Sequence, residues 1–179
     1  QLSFNPELEG EVRVGESWAY GVEFLANFTY DNWFGWLGYT YSRSRYKIPG
    51  INDGFTYVSP FDKPHELSAV VNYQVSRRLS VSASWVYATG IPYTAPVGRY
   101  EYANTVTPIY SKRNELRYPD YHRLDLAMTY QLNKKTTNRY QHSLNLSIYN
   151  VYNRHNAWAI NYYFTSSKFY IDSIIYYTF

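Results

Sequence analysis

The main signal along the chain is an alternation of apolar and polar residues with a period of two. It is clearest in the hairpin-like stretch 65–89. The apolar positions of one phase are Leu67, Ala69, Val71, Leu79, Val81, Ala83 and Trp85, and Ser or Asn fills most positions between them. Because successive side chains of a β-strand point to opposite faces, this pattern predicts two strands that share one apolar and one polar face.

About seven runs of this kind follow one another, and none has the periodicity of a helix. Their approximate bounds are 18–30, 33–45, 65–75, 79–89, 123–132, 140–164 with a kink at Asn153-Arg154, and 169–179. Short polar connections, such as Asp31-Asn32 and Ser76-Arg77-Arg78, alternate with two long irregular segments, 45–63 and 90–119. The fold class predicted is therefore all-β, an antiparallel meander of about seven strands.

The alternation alone does not say which face is inside, but three features favour a transmembrane wall. The connections alternate between short and long, as in outer-membrane barrels. Each run has roughly the 9–11 residues that a tilted strand needs to cross a bilayer. Aromatic residues gather near the ends of the runs, where they would form the girdles at the two interfaces. The seven apolar positions named above are thus predicted to face lipid. An aromatic-rich soluble β-sandwich stays the alternative.

The composition agrees with a wall that has one apolar and one wet face. Aromatic residues make up 21% of the 179 residues and charged residues only 17%, yet the chain is polar on average. A net charge of +3 with scattered Lys and Arg does not support nucleic-acid binding. The absence of Cys excludes disulfides and thiolate metal sites. The first residues, QLSFNPELEGEV, show no signal-peptide pattern.

Six local motifs, taken in order, resemble one family. They are WAYGVEF at 18–24, GWLGYTYSRS at 35–44, FDKPHELSAVVNY at 61–73, SASWVYATGIPYT at 82–94, YPDYHRLDL at 118–126 and NLSIYNVYNRHN at 145–156. Together they resemble the C-terminal part of the barrel of TonB-dependent outer-membrane receptors, especially the type with a carboxypeptidase-like regulatory extension. A spanning sheet must close on itself, and seven strands are fewer than the ~8 of the smallest bacterial barrels. Either one strand is missed or the chain is part of a larger barrel.

The resemblance implies that residues 1–179 are one C-terminal portion of a barrel of about 22 strands, with the plug and TonB box outside the chain. The implied function is energised uptake of a scarce nutrient, such as a siderophore-iron complex, a glycan or a peptide, across the Gram-negative outer membrane. The implied partners are outer-membrane lipid and lipopolysaccharide, the rest of the barrel and plug, and the TonB–ExbB–ExbD complex, with a surface lipoprotein as a further candidate. Phe179 ends the chain with an aromatic residue, as outer-membrane strands often do, although the final strand could extend beyond it. A small structural or adhesive barrel is the alternative function.

Ligand contact is predicted in the two long segments, which combine aromatic and cationic side chains. The candidate residues are Tyr46, Phe55, Tyr57, Tyr93, Arg99, Tyr100, Tyr102, Tyr110, Lys112 and Arg113. Aromatic rings can stack on sugars or planar chelates, and cations can bind anionic groups. The alternatives are packing of loop against loop and contact with lipopolysaccharide phosphates.

Catalysis is not predicted, and neither a cofactor nor a metal is expected. The four His residues lie on different runs without metal-ligand spacing, and no Ser lies in a recognisable nucleophile motif. The pairs Asp62 with His65 and His122 with Asp125 are assigned structural roles. Arg77, Arg78, Lys134 and Lys135, at short turns, are expected to be solvated charges.

Overall fold

The computed structural model describes residues 13–102, 105–133, 140–164 and 169–177, with side chains as far as residue 162. These residues form two compact units. Residues 13–20, 42–62 and 91–118 form one, called the loop unit here, and residues 21–41, 63–90 and the described residues from 119 onwards form the other, called the sheet unit. The predictions for residues 1–12, Lys134, Lys135, the turn 165–168 and Phe179 lie outside the described residues.

The fold of the described residues is all-β. Its strands are β1 (Glu16–Tyr30), β2 (Trp33–Lys47), β3 (Tyr57–Val58), β4 (His65–Ser76), β5 (Leu79–Ala88), β6 (Pro92–Tyr93), β7 (Pro96–Tyr102), β8 (Thr105–Tyr110), β9 (Leu116–Arg117), β10 (Tyr121–Gln131), β11 (Ser143–Ile148), β12 (Asn156–Phe164) and β13 (Phe169–Tyr177). A single 3-10 turn, Asn52–Gly54, is the helical element among these residues. No helix in the described ranges is long and apolar enough to cross a membrane.

The main sheet has the order β1-β2-β4-β5-β10-β11, with β3 paired to β2. Strands β2, β4, β5, β10 and β11 pair antiparallel with their neighbours. Strands β12 and β13 form a separate antiparallel pair. Among the described residues β1 and β11 are the edges of the sheet, so it is an open barrel segment. The predicted antiparallel meander is confirmed.

The register places the predicted apolar positions on one face. Leu67 is opposite Tyr87, Ala69 opposite Trp85, and Val71 opposite Ala83. On the other side of β5, the same face continues into β10, since Leu126 is opposite Ala83. Directly opposed residues of antiparallel strands point to the same face. The residues predicted to face lipid thus share one face of the sheet, and their contact with lipid stays a prediction.

The large apolar side chains of this sheet are exposed or half-buried, and among the described residues they form no buried core. Phe24 and Leu146 are each 57% exposed. In the described part of the chain the buried apolar residues are Tyr57 and Ala95, and both belong to the loop unit. A soluble antiparallel sheet buries one face against its core. No core therefore covers the apolar face among the described residues, which is compatible with a barrel wall, while contact of this face with lipid stays a prediction.

The sixth predicted run is two strands, because a compact turn separates β11 from β12. Asn150 and Asn153 have positive φ angles of 53° and 52°, a conformation that Asn tolerates better than most residues. The buried Asn150 side chain accepts a hydrogen bond from the Arg154 amide (2.9 Å) and donates one to its carbonyl (3.1 Å). The kink predicted at Asn153-Arg154 is therefore a turn that ends the strand.

The segment 90–119 was predicted to be irregular, and this is wrong. It forms a nested hairpin in which β6 pairs with β9 and β7 pairs with β8. The residues of β7 and β8 are rich in aromatic and β-branched types, which favour strands. Pro108 lies in β8, opposite Arg99. A two-stranded ribbon tolerates this proline because its outer edge needs no N–H donor.

Arg78 was expected to be a solvated turn charge, and this is also wrong. Its Nε donates to the carbonyl of Gln131 (2.8 Å) and its Nη2 to that of Leu132 (2.9 Å). The guanidinium lies 4.8 Å from the centre of the Tyr130 ring. These contacts join the β4–β5 turn to the end of β10, so Arg78 stabilises one end of the sheet.

Gly35 is expected to tolerate no side chain. A Cβ there would meet the carbonyl oxygen of Val70 and approach the ring of Phe28 to 2.8 Å. Overpacking of this kind costs about 1–3 kcal/mol. Gly35→Ala should therefore lower the free energy of unfolding, measured by urea titration of the protein in detergent.

Gly38→Ala is the matched control on the same strand. Its Cβ would meet only the Trp36 ring at 3.4 Å and Leu25 at 3.9 Å, which neighbouring side chains can accommodate. Equal unfolding midpoints for the two variants would contradict the close packing at Gly35.

Candidate functional site

The loop unit is organised around one buried carboxylate. The side chain of Asp62 has no solvent exposure, and its Oδ1 accepts a hydrogen bond from the Ser44 amide (2.7 Å). Arg43 Nε lies 3.5 Å from the same oxygen. Arg117 forms an ion pair with Oδ2 and also donates to the backbone carbonyl of Asp62 (2.8 Å).

These contacts join the two long segments of the chain. Arg43 and Asp62 bound the first segment, and Arg117 lies at the end of the second. A buried charge is stable only when it is paired and hydrogen-bonded, and Asp62 has two cationic partners and an amide donor. The ion pairs therefore fix the ends of both segments against each other.

Asn114 makes a second connection between the segments. This buried residue has a φ of 55°, its Nδ2 donates to the Val58 carbonyl (2.7 Å), and its amide donates to Thr94 Oγ1 (2.9 Å). Next to it, the Arg113 amide donates to Asn52 Oδ1 (3.2 Å). The residues around 112–115 are thus held against residues 52–58.

An open cleft of about 380 Å³ lies between these segments of the loop unit. It is lined by Arg43, Asn52, Thr56, Tyr57, Val58, Lys112, Arg113, Asn114, Glu115 and Arg117. Four of these residues are cationic. The one carboxylate, Glu115, accepts a hydrogen bond from the Lys112 amide (2.9 Å). The cleft therefore combines an excess of positive charge with neutral hydrogen-bonding groups and one aromatic ring.

The structure brings only part of the predicted ligand-binding set to this cleft. Tyr57, Lys112 and Arg113 line it, and Tyr46 packs edge-on against Tyr57 with 6.0 Å between ring centres. Tyr93 instead packs against Tyr118 at 4.8 Å. The others lie in the loop unit away from the cleft lining: Phe55, Arg99, Tyr100, Tyr102 and Tyr110. Ligand binding by any of the ten residues stays a prediction.

Sequence reasoning did not find Arg43, Asn52, Asn114 and Arg117 as cleft residues. Arg43 falls in a strand run, and Arg117 falls at the end of a segment that was taken to be irregular. The available signal was Asp62, a carboxylate between Phe61 and Lys63 in the stretch PFDKP, which has a proline at each end. A carboxylate that becomes buried needs cationic partners, but nothing in the sequence says which arginines supply them.

The two His and Asp pairs do not form catalytic dyads. The ring of His65 is hydrogen-bonded to Tyr39 Oη (2.8 Å) and that of His122 to Tyr152 Oη (2.8 Å). His122 and Asp125 are three residues apart on one strand, so they point to opposite faces. In the described ranges, no three His, Asp or Glu side chains are placed to hold a metal ion.

Asp125 instead supports the turn after β11. Its Oδ1 accepts from the Asn150 amide (2.9 Å), and its Oδ2 accepts from Arg123 Nε (3.0 Å). On the apolar face, Tyr152 from the same turn also accepts a hydrogen bond from Trp85 Nε1 (3.2 Å). Asp125 and His122 are therefore structural residues that hold this turn.

The apolar face of the sheet unit carries a groove of about 400 Å³. Three predicted lipid-facing residues, Val71, Val81 and Ala83, line it. The aromatic pair Trp33 and Tyr73, with ring centres 4.4 Å apart, lines it as well. This surface has almost no hydrogen-bonding groups, as expected of barrel wall.

The described residues combine an open antiparallel sheet, an apolar face without a buried core, and long loops that are folded. The family model described as "TonB dependent receptor-like, beta-barrel" matches residues 10–151. No curated protein and no solved structure matches the chain. The family consists of outer-membrane transporters rather than enzymes. The chain therefore belongs to the TonB-dependent receptor family and forms part of its β-barrel.

Proposed function

We propose that the chain forms wall and ligand-contacting loops of a receptor that imports a scarce nutrient with energy from the TonB–ExbB–ExbD complex. The sheet unit supplies the wall and faces outer-membrane lipid with the side of Leu67, Val71 and Ala83. The loop unit lies on the extracellular side and makes contact with the nutrient. The plug and the segment that contacts TonB belong to other parts of the receptor, outside residues 1–179.

The observation that carries this proposal is the folded cleft of the loop unit. Its walls come from residues 43–58 and 112–117, which are joined by ion pairs and side-chain hydrogen bonds. Pre-formed clefts of roughly 300–1,000 Å³ are typical of small-molecule sites. A barrel that serves only as a structural or adhesive wall has no need of such a cleft, and this favours uptake over the alternative function.

Uptake should depend on energy. Cells that carry the full-length protein are incubated with radiolabelled iron-siderophores, oligosaccharides and short peptides, with and without a functional TonB. We expect accumulation of one ligand class in cells with TonB, and surface binding without accumulation in cells that lack it. Accumulation that is equal in both strains, or binding of none of the three classes, would contradict the proposal.

A further inference from the structure

We infer that the cleft of the loop unit binds a small ligand that carries at least two negative charges, such as a multiply carboxylated or phosphorylated molecule. This inference rests on the proposed function and narrows the class of nutrient. It assigns to the ligand the lining residues Arg43, Lys112 and Arg113.

The charge of the cleft is the first argument. Four cations and the carboxylate of Glu115 give the lining a formal charge of +3, and Asp62 behind it lowers this to +2. Lys112 and Arg113 are exposed, and neither forms an ion pair with a carboxylate of the described residues. Like charges gathered in one cleft repel each other, and a bound polyanion would remove that repulsion.

The rigidity of the cations is the second argument. Arg43 and Arg117 each form an ion pair with the buried carboxylate of Asp62, which also accepts a hydrogen bond from the Ser44 amide, and this pairing restrains both guanidinium groups. The planar guanidinium offers several donors in a fixed geometry that matches carboxylate and phosphate oxygens. Charged donors that are held in place before binding lose little conformational entropy when the ligand arrives.

The remaining lining sets the size and chemistry of the ligand. Thr56 adds a neutral hydroxyl to the lining, and the largely buried Tyr57 adds an aromatic residue. The cations of the cleft come from two segments of the chain, Arg43 from the first and Lys112 and Arg113 from the second. A ligand with two anionic groups can therefore pair with cations of both segments, which a single monovalent anion cannot do.

The test uses the full-length protein purified in detergent, with citrate and pyrophosphate as polyanionic probes and maltotriose as a neutral probe, measured by isothermal titration calorimetry. We expect the polyanions to bind and the neutral sugar not to bind. Binding should weaken as ionic strength rises, since exposed charges are screened. In the double variant Lys112→Gln/Arg113→Gln we expect about a tenfold or greater loss of affinity, because two charge-assisted contacts disappear.

The matched control is Arg45→Gln/Lys47→Gln, which removes one Arg and one Lys from exposed positions of the same unit outside the cleft lining. Its affinity for the probes should stay within about twofold of the wild type. Equal losses in both double variants, or no polyanion binding by the wild type, would overturn the inference. Binding that appears only with lipopolysaccharide vesicles would also overturn it, because it assigns the cations to lipid phosphates. If a neutral nutrient is still accumulated through TonB, the proposed function stands without this inference.

Discussion

Asp62→Asn is expected to loosen the loop unit by about 3 kcal/mol, at the lower end of the roughly 3–5 kcal/mol for breaking a buried ion pair. The substitution keeps the shape of the side chain but leaves Arg43 and Arg117 facing a neutral amide. These arginine side chains are 25% and 27% exposed, so water partly replaces the lost charge. Hydrogen exchange in peptides 42–62 and 91–118 should become about a hundredfold faster.

Asp53→Asn provides the control for this effect. Asp53 is an exposed carboxylate of the same unit, and Asn also tolerates its positive φ of 55°. Its exchange pattern should match that of the wild type. The proposed role of Asp62 in joining the two long segments is wrong if both variants exchange alike, or if Asp62→Asn changes exchange in peptides 65–90 as strongly as in the loop peptides.

Ala83→Arg is expected to destabilise the barrel by about 2–4 kcal/mol, the effect of a cation near the bilayer midplane on the lipid-facing side. Ala83 lies in the middle of β5, on the same face as Val71 and Leu126. The expected result is a smaller fraction of folded protein in the outer membrane, measured by the mobility shift of unheated samples in gels. Urea unfolding in lipid vesicles gives the free-energy change.

Ser82→Arg introduces the same group one position earlier, on the opposite face of β5. Positions that face the lumen of a barrel accept charges far more readily, so this variant should assemble almost normally. The opposite ranking, with Ser82→Arg more damaging than Ala83→Arg, would mean that the polar face meets the lipid and would reverse the orientation of the wall.

The sequence predicted the sheet well, because one local property decides it. Apolar and polar residues alternate with a period of two within each strand, and the short polar turns mark where one strand ends and the next begins. Every long strand of the main sheet overlaps a predicted run. The errors are in places where a local cue misleads. Proline suggested an irregular segment where β7 and β8 pair, and the apolar residues on both sides of Asn150 continued the strand-like pattern across the turn.

The cleft could be predicted only in part. Lys112, Arg113 and Tyr57 were found because they are cationic or aromatic residues in a long connection. Arg43 and Arg117 were not found, since 74 positions separate them along the chain. Both pair with Asp62 because two distant segments pack together, and no local sequence pattern predicts that packing.

The sequence by itself therefore determined the strands, their apolar face and the family resemblance, because each is expressed by residues close together in the chain. The tertiary structure decided which loop residues share a cleft and which charges are buried. It also showed that the His and Asp pairs serve as structural contacts. These features depend on contacts between segments far apart in the chain. Asp62 becomes buried, and pairs with Arg43 and Arg117, only when those segments pack together.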